Sequence, residues 1–376
     1  MIRDYLKICN VNFQRRTREM GKASLATLAA VSVVSLTSIA QAQEIVGWRH
    51  VKLTGEDKFQ GTEPDNENEA KDISGAVCMP GVSCFAVSDE ELFLHTFELK
   101  GNKKTRFKIG EVLNLAPNVE GELDLEALAV SGNTLYALGS HSFKRNGCKK
   151  QDSRSVLFYG TPNMDLAGKD EAIEMSQLSL APAFAAVPEL AVGYAKPLQK
   201  NGLNFEGMAA LNGQLYFGLR APYPEDESHS TFVLSYPVEG FDQDAIATPQ
   251  LHRLNLADQP GAGIRAMERY GDDILILSGP AGVSKTSKKP TSENMDCQKQ
   301  SLDRDHPFML HLWDVDQKRI QKLVEIVPPR IDWKAEGLLS LQEKQADDKL
   351  ISVVVLFDGA DSGYPVRYDI SLTSQD

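Results

Sequence analysis

The sequence is short of basic residues. It has 40 Lys and Arg residues against 52 Asp and Glu residues, and a formal net charge of −12 at pH 7. Nucleic acids and anionic membrane surfaces attract positive charge, so this chain is a poor candidate for binding either of them. The acidic balance instead suits metal cations as ligands, or serves solubility alone.

The sequence also lacks the motifs of several common sites. It contains neither the Cys and His spacing of a zinc site nor a dinucleotide-binding fingerprint. The stretch G-P-A-G-V-S-K-T from Gly279 imitates a phosphate-binding loop, but Ser284 stands where that motif needs its second glycine. G-V-S-C-F from Gly81 lacks the final glycine of a nucleophile elbow. We therefore predict no zinc, nucleotide or α/β-hydrolase site.

One long apolar run stands out, at residues 23–40. It follows a basic segment and ends in Ala40-Gln41-Ala42, an order typical of a secretory signal peptide. We predict a signal peptide over residues 1–42, with cleavage after Ala42, and a periplasmic or secreted domain over residues 43–376 without stable membrane insertion. Met20 is an alternative start, because Met20-Gly21-Lys22 and the apolar run already form a complete signal. An uncleaved anchor of about 18 residues is the rival interpretation.

Cysteine is scarce. Cys9 falls within the predicted signal peptide, and four cysteines remain, namely Cys78, Cys84, Cys148 and Cys297. An even number in an oxidising compartment indicates two disulfides, and four cysteines allow three pairings. We favour Cys78–Cys84, which would close a short hairpin, together with Cys148–Cys297. A cysteine metal site is the weaker alternative, because neither Cys-x-x-Cys nor a nearby His pair accompanies them.

The most informative feature is an internal repeat of short apolar segments, each followed by a turn and a second apolar strand. The five segments are D-I-S-G-A-V from Asp72, D-L-E-A-L-A from Asp124, N-F-E-G-M-A from Asn204, G-I-R-A-M-E from Gly263 and K-A-E-G-L-L from Lys334. This pattern predicts one β-hairpin per unit.

The spacing inside the units is regular. The residue pairs 14 positions apart are Ser74 and Ser88, Glu126 and Ser140, Glu206 and Arg220, and Arg265 and Gly279. Their midpoints are the turn formers Gly81, Asn133, Gly213 and Asp272. In the fifth unit a polar insertion at residues 342–348 lengthens the turn. We expect the paired residues to lie opposite one another at the open end of each hairpin.

Successive units start 52, 80, 59 and 71 residues apart, which is about one four-stranded blade each. We predict an all-β protein, a single β-propeller of five to six blades, with room for a sixth blade in the 80-residue gap. A first strand near residues 46–53 would close the ring beside residues 366–372, and short helices are expected near residues 170–175 and 180–192. A β-sandwich of hairpins is the alternative fold.

In a propeller the starts of the inner strands open on one face, so the repeat brings charged residues to a common mouth. The predicted ligand-binding residues are Glu126, Glu206, Arg265, Glu336, His141, Lys144, Arg145, Arg220 and Asp358, with Asp89 and Glu90 on an adjoining loop. Three carboxylates at one mouth repel each other unless positive charge lies between them, which makes Glu126, Glu206 and Glu336 candidate ligands of Ca²⁺. The alternative is structural, with each glutamate paired to Arg265 or Arg220 or to backbone N–H groups.

The loop G-S-H-S-F-K-R-N-G-C at residues 139–148 concentrates His141, Lys144 and Arg145 beside the same face. Lys and Arg donate hydrogen bonds to phosphate or carboxylate groups, so this loop is a candidate anion-binding loop. A solvated loop pinned by Cys148 is the alternative.

The second and third units carry a family resemblance. D-L-E-A-L-A with L-Y-A-L-G-S-H-S-F-K-R, and N-F-E-G-M-A with L-Y-F-G-L-R-A-P, resemble a bacterial β-propeller family of unknown function, over about residues 72–358. More loosely the chain is similar to phytase-like and esterase-like propellers. The calcium-dependent phytases among them imply acidic channel residues that bind Ca²⁺, and only Glu126, Glu206 and Glu336 match by position.

Two functional hypotheses follow. In the first, a monomeric propeller binds a small anionic ligand or a protein partner at its mouth and needs no cofactor. In the second, the carboxylates hold Ca²⁺ and a bound water hydrolyses a phosphoester or ester, while the basic residues hold the anion. The sequence leaves catalytic activity open between them.

Overall fold

Five sheets, antiparallel except for two parallel pairings at the outer edge of the first, account for nearly all the regular structure of the computed structural model. The model describes residues 43–55, 58–59, 71–89, 92–101, 104–115, 122–144, 148–164, 168–173, 175–224, 230–242, 249–256, 259, 261–282, 307–341 and 349–372. Every sheet has at least four strands, and the strand at its inner edge is one of the repeated segments found in the sequence.

The first half of the chain builds two blades. Two strands come first, β1 (Glu44–His50) and β2 (Lys52–Gly55). Blade 1 follows with β3 (Ile73–Met79), β4 (Ser83–Ser88), β5 (Phe93–Lys100) and β6 (Arg106–Asn114). Blade 2 contains β7 (Leu125–Ser131), β8 (Thr134–Gly139) and β9 (Leu157–Gly160); after the intervening β10 (Gly168–Ala172) it is completed by β11 (Ser176–Leu178). Both β2 and β10 pair in parallel with β6 and so extend blade 1.

Two short helices, α1 (Ala181–Ala185) and α2 (Pro188–Tyr194), lead into the remaining blades. Blade 3 contains β12 (Asn204–Leu211), β13 (Gln214–Ala221), β14 (Ser230–Pro237) and β15 (Gln250–Asn255). Blade 4 contains β16 (Ala262–Tyr270), β17 (Asp273–Pro280), β18 (Phe308–Asp314) and β19 (Arg319–Ile326). Blade 5 contains β20 (Lys334–Ser340), β21 (Leu350–Asp358) and β22 (Val366–Ser371). Single 3₁₀ turns lie at residues 152–154, 198–200, 238–242 and 361–363.

The five sheets form a closed ring. The inner strands β3, β7, β12, β16 and β20 each contact the next, and β20 contacts β3. The N-terminal β1 pairs antiparallel with β22 and completes blade 5, as the sequence predicted. The protein is therefore a five-bladed β-propeller.

Three expectations need correction. The sixth blade is wrong, because the 80-residue interval holds the outer strands of blade 2, β10 and the two helices. The helix expected near residues 170–175 is wrong, because β10 ends at Ala172. The sandwich alternative is also wrong, since the inner strands close around an axis.

The hairpin turns lie where the sequence placed them, but the register of the strands differs from the prediction. In each inner hairpin the pairing skips one residue near the start of the inner strand, which leaves Leu125 opposite Gly139 and Ala127 opposite Leu138. The skipped residues are Ser74, Glu126, Glu206, Arg265 and Glu336. They are therefore not opposite the residues predicted for them, and each sits in a β-bulge, which re-aims a side chain out of the regular alternation.

The blades approach one another closely at the same level. A Cβ atom on Gly263, at the start of β16, would lie 2.3 Å from the backbone oxygen of Arg220 at the end of β13. Only glycine fits this contact between blades 3 and 4.

The cysteine prediction is confirmed in its first half. Cys78 and Cys84 form a disulfide across the β3–β4 hairpin, where they are direct cross-strand partners. Cys148 is disulfide-bonded as well, whereas Cys297 lies outside the described residues, so the pairing Cys148–Cys297 stays a prediction. Among the described residues no helix is long and apolar enough to cross a membrane.

Candidate functional site

The bulged residues of blades 3, 4 and 5 form a buried ion-pair network on the propeller axis. Arg265 Nη1 lies 2.8 Å from Glu206 Oε2, and Arg265 Nη2 pairs with Glu336. Arg220 Nη1 donates to Glu206 Oε1 over 2.6 Å. Arg265 and Glu206 are only 1% and 3% exposed. Two guanidinium groups thus neutralise Glu206 and Glu336, two of the three carboxylates that the sequence placed at the mouth.

The inner strands also enclose a small space beside this network. It measures about 10 Å³ and is lined in part by Glu206, Met208, Met267 and Leu338. Such a volume holds about one water molecule.

A much larger cavity, of about 640 Å³, lies over blades 1 to 3 at the same face. It is strongly polar, with four acidic and three basic side chains on its wall. The lining residues are Asp89, Glu122, Asp124, Glu126, Ser142, Phe143, Lys144, Arg154, Leu198, Asn204 and Arg220. We call this space the mouth cavity.

Glu126 is a carboxyl group of the mouth cavity that has no partner among the described residues. It is 7% exposed, and no described residue forms a hydrogen bond or an ion pair with it. Burial raises the pKa of Glu126 well above its ordinary value, and the charges of Glu206, Asp124 and Asp89 raise it further against the opposing effect of Arg220. A carboxyl group in this setting favours the protonated form, which can donate a hydrogen bond.

The wall beside Glu126 is a cluster built around Asp124. The Asp124 Oδ2 atom accepts hydrogen bonds from Ser140, from Ser142 Oγ at 3.1 Å and from Arg154 Nη1 at 2.9 Å. Arg154 Nη2 also donates to Glu122 Oε1 at 2.6 Å. Burial raises the pKa of Asp124, while Arg154 acts in the opposite direction.

The backbone is strained at this corner. Asp124 has φ +52° and His141 has φ +57°, both in the left-handed region that non-glycine residues rarely adopt. Conformations of this kind cost about 1–3 kcal/mol and concentrate at functional sites. The strain supports a role for the cluster beyond stability.

His141 is placed differently from the expectation that it faces the mouth. Its Nδ1 contacts the backbone oxygen of Gly139 at 2.8 Å, and its ring packs edge-on against Phe184 and Phe205. It is not among the described residues that line the mouth cavity. Burial lowers the pKa of His141 to about 4, so the imidazole is neutral at pH 7.

The other predicted residues divide into three groups. Lys144 and Arg220 line the mouth cavity together with Glu126. Asp358 lies apart from the lining and pairs with Lys334 on the neighbouring strand of blade 5. Arg145 and Glu90 lie outside the described residues.

The predicted calcium ligands fit a metal poorly. Glu206 and Glu336 are both engaged by Arg265, and Glu206 also by Arg220, so Ca²⁺ would have to displace guanidinium groups. Among the described residues no three acidic, His or Cys side chains are arranged to hold a metal ion. The calcium site stays a prediction, and no reaction step is derived from it.

Sequence reasoning missed Arg154 and Glu122. Arg154 lies in the 3₁₀ turn before β9, 30 residues after the Asp124 carboxylate that it binds. Asp124 was available as the first residue of the D-L-E segment, and its counterpart Asn204 also lines the mouth cavity. The first position of the repeat was thus a usable signal, whereas nothing local marks Arg154.

Comparison with solved structures finds distant similarities. Virginiamycin B lyase from Staphylococcus aureus is 8% identical with a TM-score of 0.36, and the alignment covers 83% of this chain and 69% of that one. Glutaminyl cyclase from Myxococcus xanthus is 12% identical with a TM-score of 0.40, and the alignment covers 89% and 98%. Neither similarity carries an activity over to this chain. No curated protein matches the sequence.

The resemblance to a propeller family of unknown function, noted over about residues 72–358, is confirmed. The family model described as a protein of unknown function, DUF3616, matches residues 72–157 and 174–366. The chain therefore belongs to the DUF3616 family.

Proposed function

We propose that the protein is an exported ligand-binding propeller that holds a small anionic molecule in the mouth cavity. The observation that carries the proposal is Glu126, a buried carboxyl group that faces a cavity of about 640 Å³ without a described partner. Cavities of about 300–1,000 Å³ suit small-molecule ligands. A buried polar group without a partner costs stability, which a ligand would recover.

The chemistry of the wall favours an anion, provided that Glu126 is protonated. The Arg220 guanidinium already donates hydrogen bonds to Glu206 and to the backbone oxygens of Ala281 and Gly282. The ion pair of Lys144 is weaker, because its Nζ lies 3.9 Å from Glu122 Oε2. A carboxylate or sulfate oxygen would therefore accept hydrogen bonds from the Glu126 hydroxyl group and from Lys144.

The pH dependence separates this proposal from calcium binding. Anion binding needs Glu126 protonated, so affinity falls as pH rises through the raised pKa. Ca²⁺ binding needs the carboxylate, so affinity rises over the same range. The charged groups that act on the pKa of Glu126 are Glu206, Asp124 and Asp89, which raise it, and Arg220, which lowers it.

The test is calorimetric titration of the protein with sodium sulfate and, separately, with calcium chloride, at about pH 5.5 and about pH 8. Sulfate keeps its charge over this interval, so a change in affinity reports the protein. We expect sulfate to bind more tightly at the lower pH. Glu126→Gln, which stays neutral, should bind sulfate equally well at both pH values, and Glu325→Gln on the exposed side of β19 should behave like the unchanged protein.

Calcium binding that strengthens at the higher pH and disappears in Glu126→Gln would replace this proposal with the metal-dependent alternative. Binding of neither ion would overturn it and direct attention to a protein partner at the same face. Export rests on the predicted signal peptide, and the Cys78–Cys84 disulfide supports it because such bonds persist in oxidising compartments.

A further inference from the structure

We propose that Ser142 is a nucleophile that attacks carboxylic esters bound in the mouth cavity. This activity goes beyond ligand binding, needs no metal and uses the wall that the cavity already has. Ser142 lies on that wall and is 5% exposed. The inference rests on three residues that are hydrogen-bonded to its hydroxyl group, namely Asp124, Arg154 and Ser140, whose Oγ donates to Ser142 Oγ at 2.8 Å.

The Ser142 hydroxyl group is held in one orientation by charged partners. Its Oγ donates to Asp124 Oδ2 at 3.1 Å and accepts from Arg154 Nη1 at 3.0 Å. Its backbone N–H donates to Ser140 Oγ at 3.1 Å. A serine becomes nucleophilic when an adjacent base takes its proton, and a third group that orients the pair completes the arrangement. Asp124 is the base here, and Arg154 is the positioning residue.

The reaction can be written with all atoms balanced. Ser142 Oγ attacks the carbonyl carbon of the ester while its proton passes to Asp124. The bond between that carbon and the leaving alkoxide breaks, and the alkoxide takes the proton from Asp124 and leaves as an alcohol. Water then attacks the acyl-serine, gives one proton to Asp124, and releases the carboxylic acid as Ser142 recovers its hydrogen. Lys144, on the same cavity wall, supplies positive charge to the developing oxyanion.

A second serine gives a useful contrast. Ser278 Oγ lies 2.9 Å from His311 Nε2 and 2.7 Å from Gln259 Oε1, an arrangement that superficially resembles an activated serine. Ser278 is 0% exposed, whereas Ser142 lies on the wall of the mouth cavity. Access to the mouth cavity is therefore what distinguishes Ser142.

The test uses a fluorophosphonate probe, which reacts with an activated serine through displacement of fluoride. We expect intact-mass spectrometry of the full chain to show one adduct and peptide mapping to place it on Ser142. Ser142→Ala should abolish the adduct and the release of nitrophenol from p-nitrophenyl acetate. Asp124→Asn should slow labelling by about 10²-fold or more, because a positioned base contributes about 10²–10⁴-fold.

Two controls keep the outcome interpretable. Ser153→Ala removes a nearby hydroxyl group that donates to the Glu122 backbone oxygen and accepts from Gln151 Nε2, without contact to Asp124 or Ser142 among the described hydrogen bonds, and it should label at the unchanged rate. Sulfate titration of Ser142→Ala shows whether that variant retains its cavity. An unlabelled Ser142 in the unchanged protein, or an adduct on another serine, would overturn this inference and leave sulfate binding unaffected.

Discussion

Replacing Arg265 with methionine tests the ion-pair network on the propeller axis. Arg265 is 1% exposed and contacts Glu206 and Glu336. Burial lowers its pKa to about 10, with Glu206 acting to raise it, so the side chain is charged at neutral pH. Methionine has a similar length but no charge. The substitution leaves Glu336 without the guanidinium that neutralises it.

The expected cost follows from the surroundings. Removing one partner of a buried ion pair costs about 3–5 kcal/mol, because the remaining charge stays buried without compensation. Glu206 keeps Arg220, so we expect the lower end, about 3 kcal/mol. A folded unit of about 330 residues has an unfolding entropy near 0.7 kcal/mol/K at about 2.1 cal/mol/K per residue, so the midpoint should fall by about 4 °C.

The assay is calorimetric unfolding of Arg265→Met, Glu336→Gln and the double variant at pH 7. The double variant should be at least about 1 kcal/mol more stable than the sum of the two single losses predicts, since the effects of substitutions at contacting residues are not additive. The loss should shrink as pH falls, because protonation removes the uncompensated charge on Glu336. Arg319→Met, which removes an exposed arginine 3.7 Å from Asp314, is the matched control and should cost under about 1 kcal/mol. A loss below about 1 kcal/mol for Arg265→Met, or strict additivity with Glu336→Gln, would refute the reasoning.

Three further predictions concern stability. Burial and neighbouring carboxylates raise the pKa of Glu126 in the folded protein. The protein therefore loses stability as the pH rises from the ordinary glutamate pKa through the raised one. Glu126→Gln should have a higher melting temperature than the unchanged protein at about pH 8 and the same melting temperature at about pH 4. Burial pushes the pKa of Asp358 upward, but Lys334, Asp72 and Arg265 together lower it by more, so the net shift is downward. Asp358→Asn should therefore lower the denaturant midpoint at pH 7 but not at about pH 2. Gly263→Ala should cost about 1–3 kcal/mol in denaturant unfolding, because the added methyl group meets the Arg220 backbone; an unchanged midpoint would show that the two blades can separate without cost.

Local signals in the sequence were enough to find the blades. Asn212 and Gly213 both have positive φ, as a two-residue hairpin turn requires, and the sequence alone shows a turn there. The ring closure by β1 was also predictable, since an isolated first strand and an incomplete last blade complement each other. These features depend on residues close in sequence or on simple pattern matching.

The site was harder to predict because its contacts join distant segments. His141 was expected at the mouth from its place in a polar loop, but Phe184 and Phe205 from later parts of the chain cover its ring. Arg154 was missed because no pattern links it to Asp124. A side chain's direction at such a corner depends on which neighbours arrive there.

The sequence by itself determined the repeat, the hairpin turns, the five inner strands and the acidic or basic character of their first residues. Only the tertiary structure decided that those residues occupy β-bulges, that Arg265 neutralises Glu206 and Glu336, and that Glu126 lies beside a cavity without a partner among the described residues. The physical reason is the distance along the chain between the residues that determine each feature. Turns and strand periodicity are local properties of the chain, whereas the register of a bulge and the partner of a buried charge depend on how closely neighbouring blades pack.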